Sequence, residues 1–170
     1  MSAMTPHNGI SVKIAEADLD HPRIVELLQI HLICARANTP RDSIHALERS
    51  GLEAPEVDFW AAWDGEQLLG FAALKQISPD HGEVKSMHVA AAWRRRGVGS
   101  CLLQHVTEAA HARGMCRLSL ETGAADASHP ARMLYRRHGF SECAPFGDYR
   151  PDPHSIFMSR VLKTMAEDNG

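Results

Sequence analysis

The chain has 170 residues, 44% of them hydrophobic and 23% charged, with a formal net charge of −3. That length suits one domain with a sizeable core, and the balance excludes a disordered or fibrous chain. The slight acidity argues against general nucleic-acid binding, which needs a strongly basic face. No apolar run approaches a membrane span, and residues 1–9 carry no signal-peptide core. They read as a loose leader, and 163–170 as a polar tail, around one domain at 10–162.

Ile10 to Ala15 alternates apolar and polar side chains and predicts a first strand. Asp20 is the expected N-cap of a helix with Pro22 in its first turn. Ile24, Leu27, Leu28, Ile30, His31 and Cys34 carry helical spacing to Ala37, where Asn38-Thr39-Pro40 breaks it. A short helix is expected over Ser43 to Arg49, ended by Gly51. Val57 to Trp63 and Gln67 to Gln76 read as strands joined at Asp64-Gly65. Glu83 to Val89 is their third partner, followed by a helix from Gly97 to Arg113. Cys116 to Glu121 predicts a strand, Pro130 to His138 a helix, and Phe140 to Tyr149 and Ile156 to Leu162 two closing strands. This order predicts an α/β domain with a mixed sheet and helices on both faces.

The four cysteines, Cys34, Cys101, Cys116 and Cys143, lack paired short spacing. Free, mostly buried thiols in a reducing cytoplasm are expected. The eleven histidines include no His-x-His pair and no His-x-x-x-His on one helix face, so no metal is expected.

The most informative stretch is Trp93-Arg94-Arg95-Arg96-Gly97-Val98-Gly99, between a strand and a helix. Glycines at a helix start let backbone approach a ligand closely. The first amides there lack intrahelical partners and, with the helix dipole, form an anion site. Three arginines add neutralising charge. A phosphorylated ligand is therefore expected at Arg94, Arg95, Arg96, Gly97, Val98, Gly99 and Ser100.

This stretch fits Arg/Gln-x-x-Gly-x-Gly/Ala and resembles the coenzyme A loop of the GNAT acyltransferases. Ala131-Arg132-Met133-Leu134-Tyr135-Arg136-Arg137-His138-Gly139-Phe140 is similar to that family's Ala-x-x-Leu-Tyr-x-x-x-Gly-Phe signature. The resemblance covers roughly 10–162. It implies a single-domain GNAT fold, a mostly antiparallel sheet of about seven strands whose fourth and fifth run parallel and splay apart to bind acyl-CoA. It also implies an acetyl-CoA-dependent N-acetyltransferase acting on a primary amine of a small molecule or peptide by direct attack, with no nucleic-acid or membrane partner, and leaves a homodimer open.

Acyl transfer needs a neutral amine, a stabilised carbonyl oxygen and a proton for the leaving thiolate. A backbone amide near Met87, His88 and Val89 is the expected oxygen stabiliser. By resemblance Tyr135 is the acid, and Glu83, six residues before Val89, is the candidate base. Strand alternation places Glu83 with Lys85 and Met87, and His88 on the opposite face. Lys85 could hold an acidic acceptor, pair with Glu83, or be solvated. Ser128 stands where the family signature often has an asparagine on the pantetheine, so that contact is expected to be lost or water-bridged. Ala131 and Leu134 complete the expected cofactor contacts.

Pro40–Leu47, Leu118–Gly123 and Pro145–Tyr149 are similar to a bacterial subgroup labelled acetyltransferase or indole-acetate acetyltransferase. In the family fold the corresponding loops wall the acceptor pocket, which nominates His45, Phe146 and Tyr149. Two other readings are a non-catalytic acyl-CoA-binding regulator and a toxin acetylating aminoacyl-tRNA. The net charge of −3 counts against the toxin.

Overall fold

Apolar alternation in β2 (Ile10–Glu16) buries Ile10, Val12 and Ile14 on one side, as a half-buried strand requires. The structure is a computed structural model that describes residues 5–7, 9–40 and 46–163. In it β1 (Thr5–His7) precedes β2 and pairs with it, within the stretch read as a leader. The remaining strands are β3 (Val57–Asp64), β4 (Gln67–Ser78), β5 (His81–Val89), β6 (Arg117–Gly123), β7 (Ser141–Glu142) and β8 (Ser155–Val161). The helices are α1 (Pro22–Asn38), α2 (Arg49–Leu52), α3 (Val98–Ala112) and α4 (His129–Arg137).

Among the described residues the sheet runs β1-β2-β3-β4-β5-β6-β8-β7. Every neighbouring pair is antiparallel except β5 and β6. The expected fourth and fifth strands are thus β5 and β6 here, because β1 adds one at the edge. The parallel ladder spans His81↔Arg117 to Val84↔Leu120 and stops. Beyond it β5 runs on to Val89 and β6 to Gly123, so the two diverge and leave main-chain groups for a ligand.

One face carries α3 and α4. Val98, Leu102, Leu103, Val106 and Ala110 of α3 pack with Val84, Leu118, Leu120, Met158 and Tyr135. The other carries α1 and α2, where Ile24, Leu27, Leu28 and Leu52 cover Phe59, Phe71 and Ala73.

Several local expectations are corrected. His21, not Asp20, caps α1: its Nδ1 accepts from the Arg23 amide at 3.2 Å, while the Asp20 carboxylate takes Arg49 at 2.5 Å. The second helix is Arg49–Leu52 and contains Gly51 instead of ending there; residues 41–45, and with them His45, lie outside the described residues. Phe140 to Tyr149 is not a strand. Only Ser141 and Glu142 pair with β8; Pro145 cannot donate to a ladder, and Gly147 turns at φ +57°. None of the four free cysteines is fully buried, and Cys143 is exposed.

The most consequential correction lies in β5. Phe71 pairs with His88, but Ala73 pairs with Lys85, so Ser86 and Met87 together oppose Ala72. Ser86 takes φ +51°. This bulge inserts one residue and resets the alternation. Met87 turns to the α3 face, where it packs on the core, whereas His88 joins Glu83 and Lys85 on the α1 face. Gly70 permits the close approach, since a Cβ there would lie 2.5 Å from the His88 carbonyl oxygen.

Candidate active site

The helix-start loop has the backbone that its glycines suggest. Gly97 caps α3 at φ +84° with no side-chain cap, and Arg95 sits at φ +63°. The first-turn amides of α3 are thus left for an anion. Arg94, Arg95 and Arg96 are exposed beside them. Arg94 Nε donates to the Val89 carbonyl at 3.4 Å, and Arg96 stacks on Trp93 at 5.2 Å. Val98 is buried in the core, so only its main chain can serve a ligand. A Cβ on Gly99 would meet Leu134 at 2.9 Å and approach Val89 and Met87. This bare helix start, the arginines beside it and the open β5–β6 edge fit coenzyme A: the loop suits its pyrophosphate, the strand edge its amide-bearing arm.

His138 and Ser100 tie α4 to the start of α3 through a 3.1 Å Nε2–Oγ contact. Ala131 and Leu134 pack against the core beside it. Ser128 Oγ would be 2.6 Å from a Cβ on Gly123, so the serine fills the space that this glycine leaves. Sequence reasoning missed Arg132. Its buried guanidinium donates to the carbonyls of Gly123 (2.7 Å) and Ala125 (2.9 Å), anchoring α4 to the end of β6. Nothing in the segment set it apart, since Arg136 and Arg137 stand in the same signature.

Tyr135 is buried on the α3–α4 face against Phe140. Burial, aided by the charge of Glu121, pushes its phenol up to about 12, so it holds its proton throughout neutral pH. Glu83 is buried on the other face, 4% exposed. Its Oε2 accepts from Tyr149 Oη at 2.5 Å and from Lys85 Nζ at 3.2 Å. Lys85 Nζ also donates to Tyr149 Oη at 2.8 Å. Burial first, then Glu83, pushes the Tyr149 phenol well up. These three side chains line a cavity of about 780 Å³ that also takes in Lys75, Gln76 and Arg150. Phe146 does not line it; it packs on His81, Tyr149 and Phe157 and props the loop.

Glu121, on β6, is the second residue that sequence reasoning passed over. Burial raises its carboxyl, Lys85 opposes that rise and Glu83 reinforces it. It therefore lies within electrostatic reach of Tyr135 on one face and the Glu83 cluster on the other. The signal was a charged residue closing the apolar alternation Leu118-Ser119-Leu120-Glu121.

The His88 side chain is turned away from the expected cofactor position. Its Nδ1 meets His31 Nδ1 at 3.1 Å, and both rings contact Phe71. Burial pushes both imidazoles down to about 4.

The Acetyltransferase (GNAT) family profile matches residues 24–140, which span both ligand-facing segments. The chain belongs to the GNAT acetyltransferase family. It is an acetyl-CoA-dependent N-acetyltransferase. It is 46% identical over 145 residues to the Bacillus subtilis N-acetyltransferase YsnE, covering 85% of this chain and 96% of that one. It is 37% identical over 124 residues to an IAA acetyltransferase of Azospirillum brasilense, covering 72% and 80%. Its fold matches the PaiA N-acetyltransferase of Thermoplasma acidophilum, solved with coenzyme A, at a TM-score of 0.69 and 15% identity, covering 90% and 100%. No helix of the described residues is long and apolar enough to cross a membrane.

Proposed function

We propose that this GNAT enzyme acetylates a primary amine of a small molecule or peptide in the cytoplasm, with Glu83 as base and Tyr135 as acid. The observation that supports this reading is that two buried ionisable side chains, Glu83 and Tyr135, flank the β5–β6 pair on opposite faces. An amine entering through the Glu83 cavity meets the thioester from the α1 face, and the leaving sulfur faces Tyr135.

The amine nitrogen forms a bond to the thioester carbon, the carbon–sulfur bond breaks, Glu83 takes a proton from the nitrogen directly or through water, and Tyr135 protonates the sulfur. A main-chain amide on the open side of β5 near Met87, His88 and Val89 stabilises the oxygen where charge develops. Arg94–Gly99 and the amides of Val98, Gly99 and Ser100 hold the pyrophosphate. Ser128, Ala131 and Leu134 border the arm, with the shorter Ser128 reaching it through water.

Thiol release from acetyl-CoA, screened over amines, amino acids and peptides, tests the reading. Turnover with a free amine and mass-verified N-acetyl product is the expected result. Tight coenzyme A binding by calorimetry with no turnover of any amine would instead identify an acyl-CoA-binding regulator.

A further inference from the structure

The geometry points to an acceptor that carries a carboxylate next to its amine, an α-amino acid or a close analogue, with Lys85 binding the carboxylate and Glu83 the amine. This rests on the acetyltransferase reading above and names the substrate class of that site.

A buried ion pair is a poor stabilising device, because desolvation offsets much of the attraction; apolar residues of similar size serve a fold as well. Yet Glu83 and Lys85 retain only 5% and 9% of their side-chain exposure, at a cavity of about 780 Å³. Their charged atoms lie 3.2 Å apart, joined by the Tyr149 hydroxyl. In an α-amino acid, standard bond lengths put the nitrogen and a carboxylate oxygen roughly 3 Å apart. The enzyme's pair and the ligand's pair therefore match in spacing and are opposite in sign. A ligand lying across the pair exchanges partners: its carboxylate takes Lys85, its ammonium takes Glu83, and every buried charge stays paired.

Once the ammonium has given its first proton to water in the cavity, the nitrogen is neutral beside the thioester, Glu83 is still a carboxylate that takes the second proton as the bond forms, and the ligand stays anchored through Lys85. A monoamine without a carboxylate can use Glu83 only by drawing it off Lys85, which leaves a buried ammonium unpaired. The remaining charges on the lining are mixed: Lys75 and Arg150 offset Glu56, Asp148 and Asp152. A polycationic acceptor finds no single-sign funnel there.

The test compares matched acceptors, L-methionine with L-methioninamide and L-phenylalanine with L-phenylalaninamide, by steady-state thiol release at saturating acetyl-CoA. Wild type should favour the free acids by tenfold or more in kcat/KM, mainly through KM. In Lys85→Met the acid-to-amide ratio should collapse by at least that factor; comparing ratios between the two enzymes cancels the different basicities of the amines. Lys85→Arg, which keeps the buried charge should the methionine variant fold poorly, should retain most of the preference. Amides turned over as well as acids by wild type, or an unchanged ratio in a folded Lys85→Met, would overturn the inference and leave acetyl transfer standing. Absence of thiol release with every acceptor would overturn both.

Discussion

Tyr135 and Glu83 differ in how their surroundings set their work. The Tyr135 phenol, pushed up to about 12, stays protonated wherever the enzyme operates, so an alkaline limb in the rate profile below pH 10 belongs to another group. Tyr135→Phe should lower turnover roughly a hundredfold or more with acetyl-CoA affinity nearly intact, measured by single-turnover kinetics and calorimetry. Unchanged turnover with chemistry rate-limiting would reduce Tyr135 to packing. Glu83 already accepts two hydrogen bonds, from Tyr149 and Lys85. Glu83→Gln should abolish the acidic limb of kcat/KM and depress the rate at neutral pH. A surviving limb would hand the proton to another acceptor, for which Glu121 is placed. Both expectations rest on one signature and one spacing. The partnership of Glu83 with Tyr149 was not legible, because 66 residues separate them and only the return of the chain after β7 brings the phenol over β5.

At the scale of elements, the strand–loop–helix unit of β5 and α3 carries the cofactor reading. Gly99 faces Leu134 of α4 so closely that a Cβ would press its Cδ2 at 2.9 Å, a flexible side-chain end that can yield. Gly99→Val should therefore fold, yet crowd the surface between β5 and α4 and weaken coenzyme A binding by tenfold or more. Unchanged affinity in a folded Gly99→Val protein, read by calorimetry, would sink the assignment of this loop. The loop was legible because its motif is local: two glycines at a helix start suffice to define it. The bulge at Ser86 left only one trace, the successive polar residues Lys85-Ser86 that interrupt the alternation of Glu83–Val89, and without a partner strand such a doublet does not define a bulge. It exists because β4 meets β5 with one residue fewer, at the point where Gly70 lets the backbones close up. Its effect is to gather Glu83, Lys85 and His88 on one face, which plain alternation forbids.

For the whole molecule, the His31–His88 contact joins α1 to β5. Both imidazoles are held near 4 by burial, against an ordinary value of 6.5. The unfolded chain therefore binds more protons than the folded one between about pH 6.5 and 4, and stability falls as pH drops through that window. Chemical denaturation across this range should show a declining midpoint that flattens in a His31→Phe/His88→Leu double variant. Equal slopes in both proteins would show that other groups drive the acid sensitivity.

Composition, periodicity and two motifs were enough to determine the family, most of the order of elements and the glycine-bearing helix start, and to nominate Glu83 and Tyr135. These are properties of short segments, where glycine conformation, helix-end amides and apolar spacing act locally. The tertiary structure alone decided the rest: the flipped face of β5, the loop in place of a strand after Glu142, Arg132 clasping the end of β6, and the Lys85–Tyr149–Glu83 cluster. Each depends on distant segments meeting, and a sheet register or a buried charge acquires its partner only when the chain has closed around it.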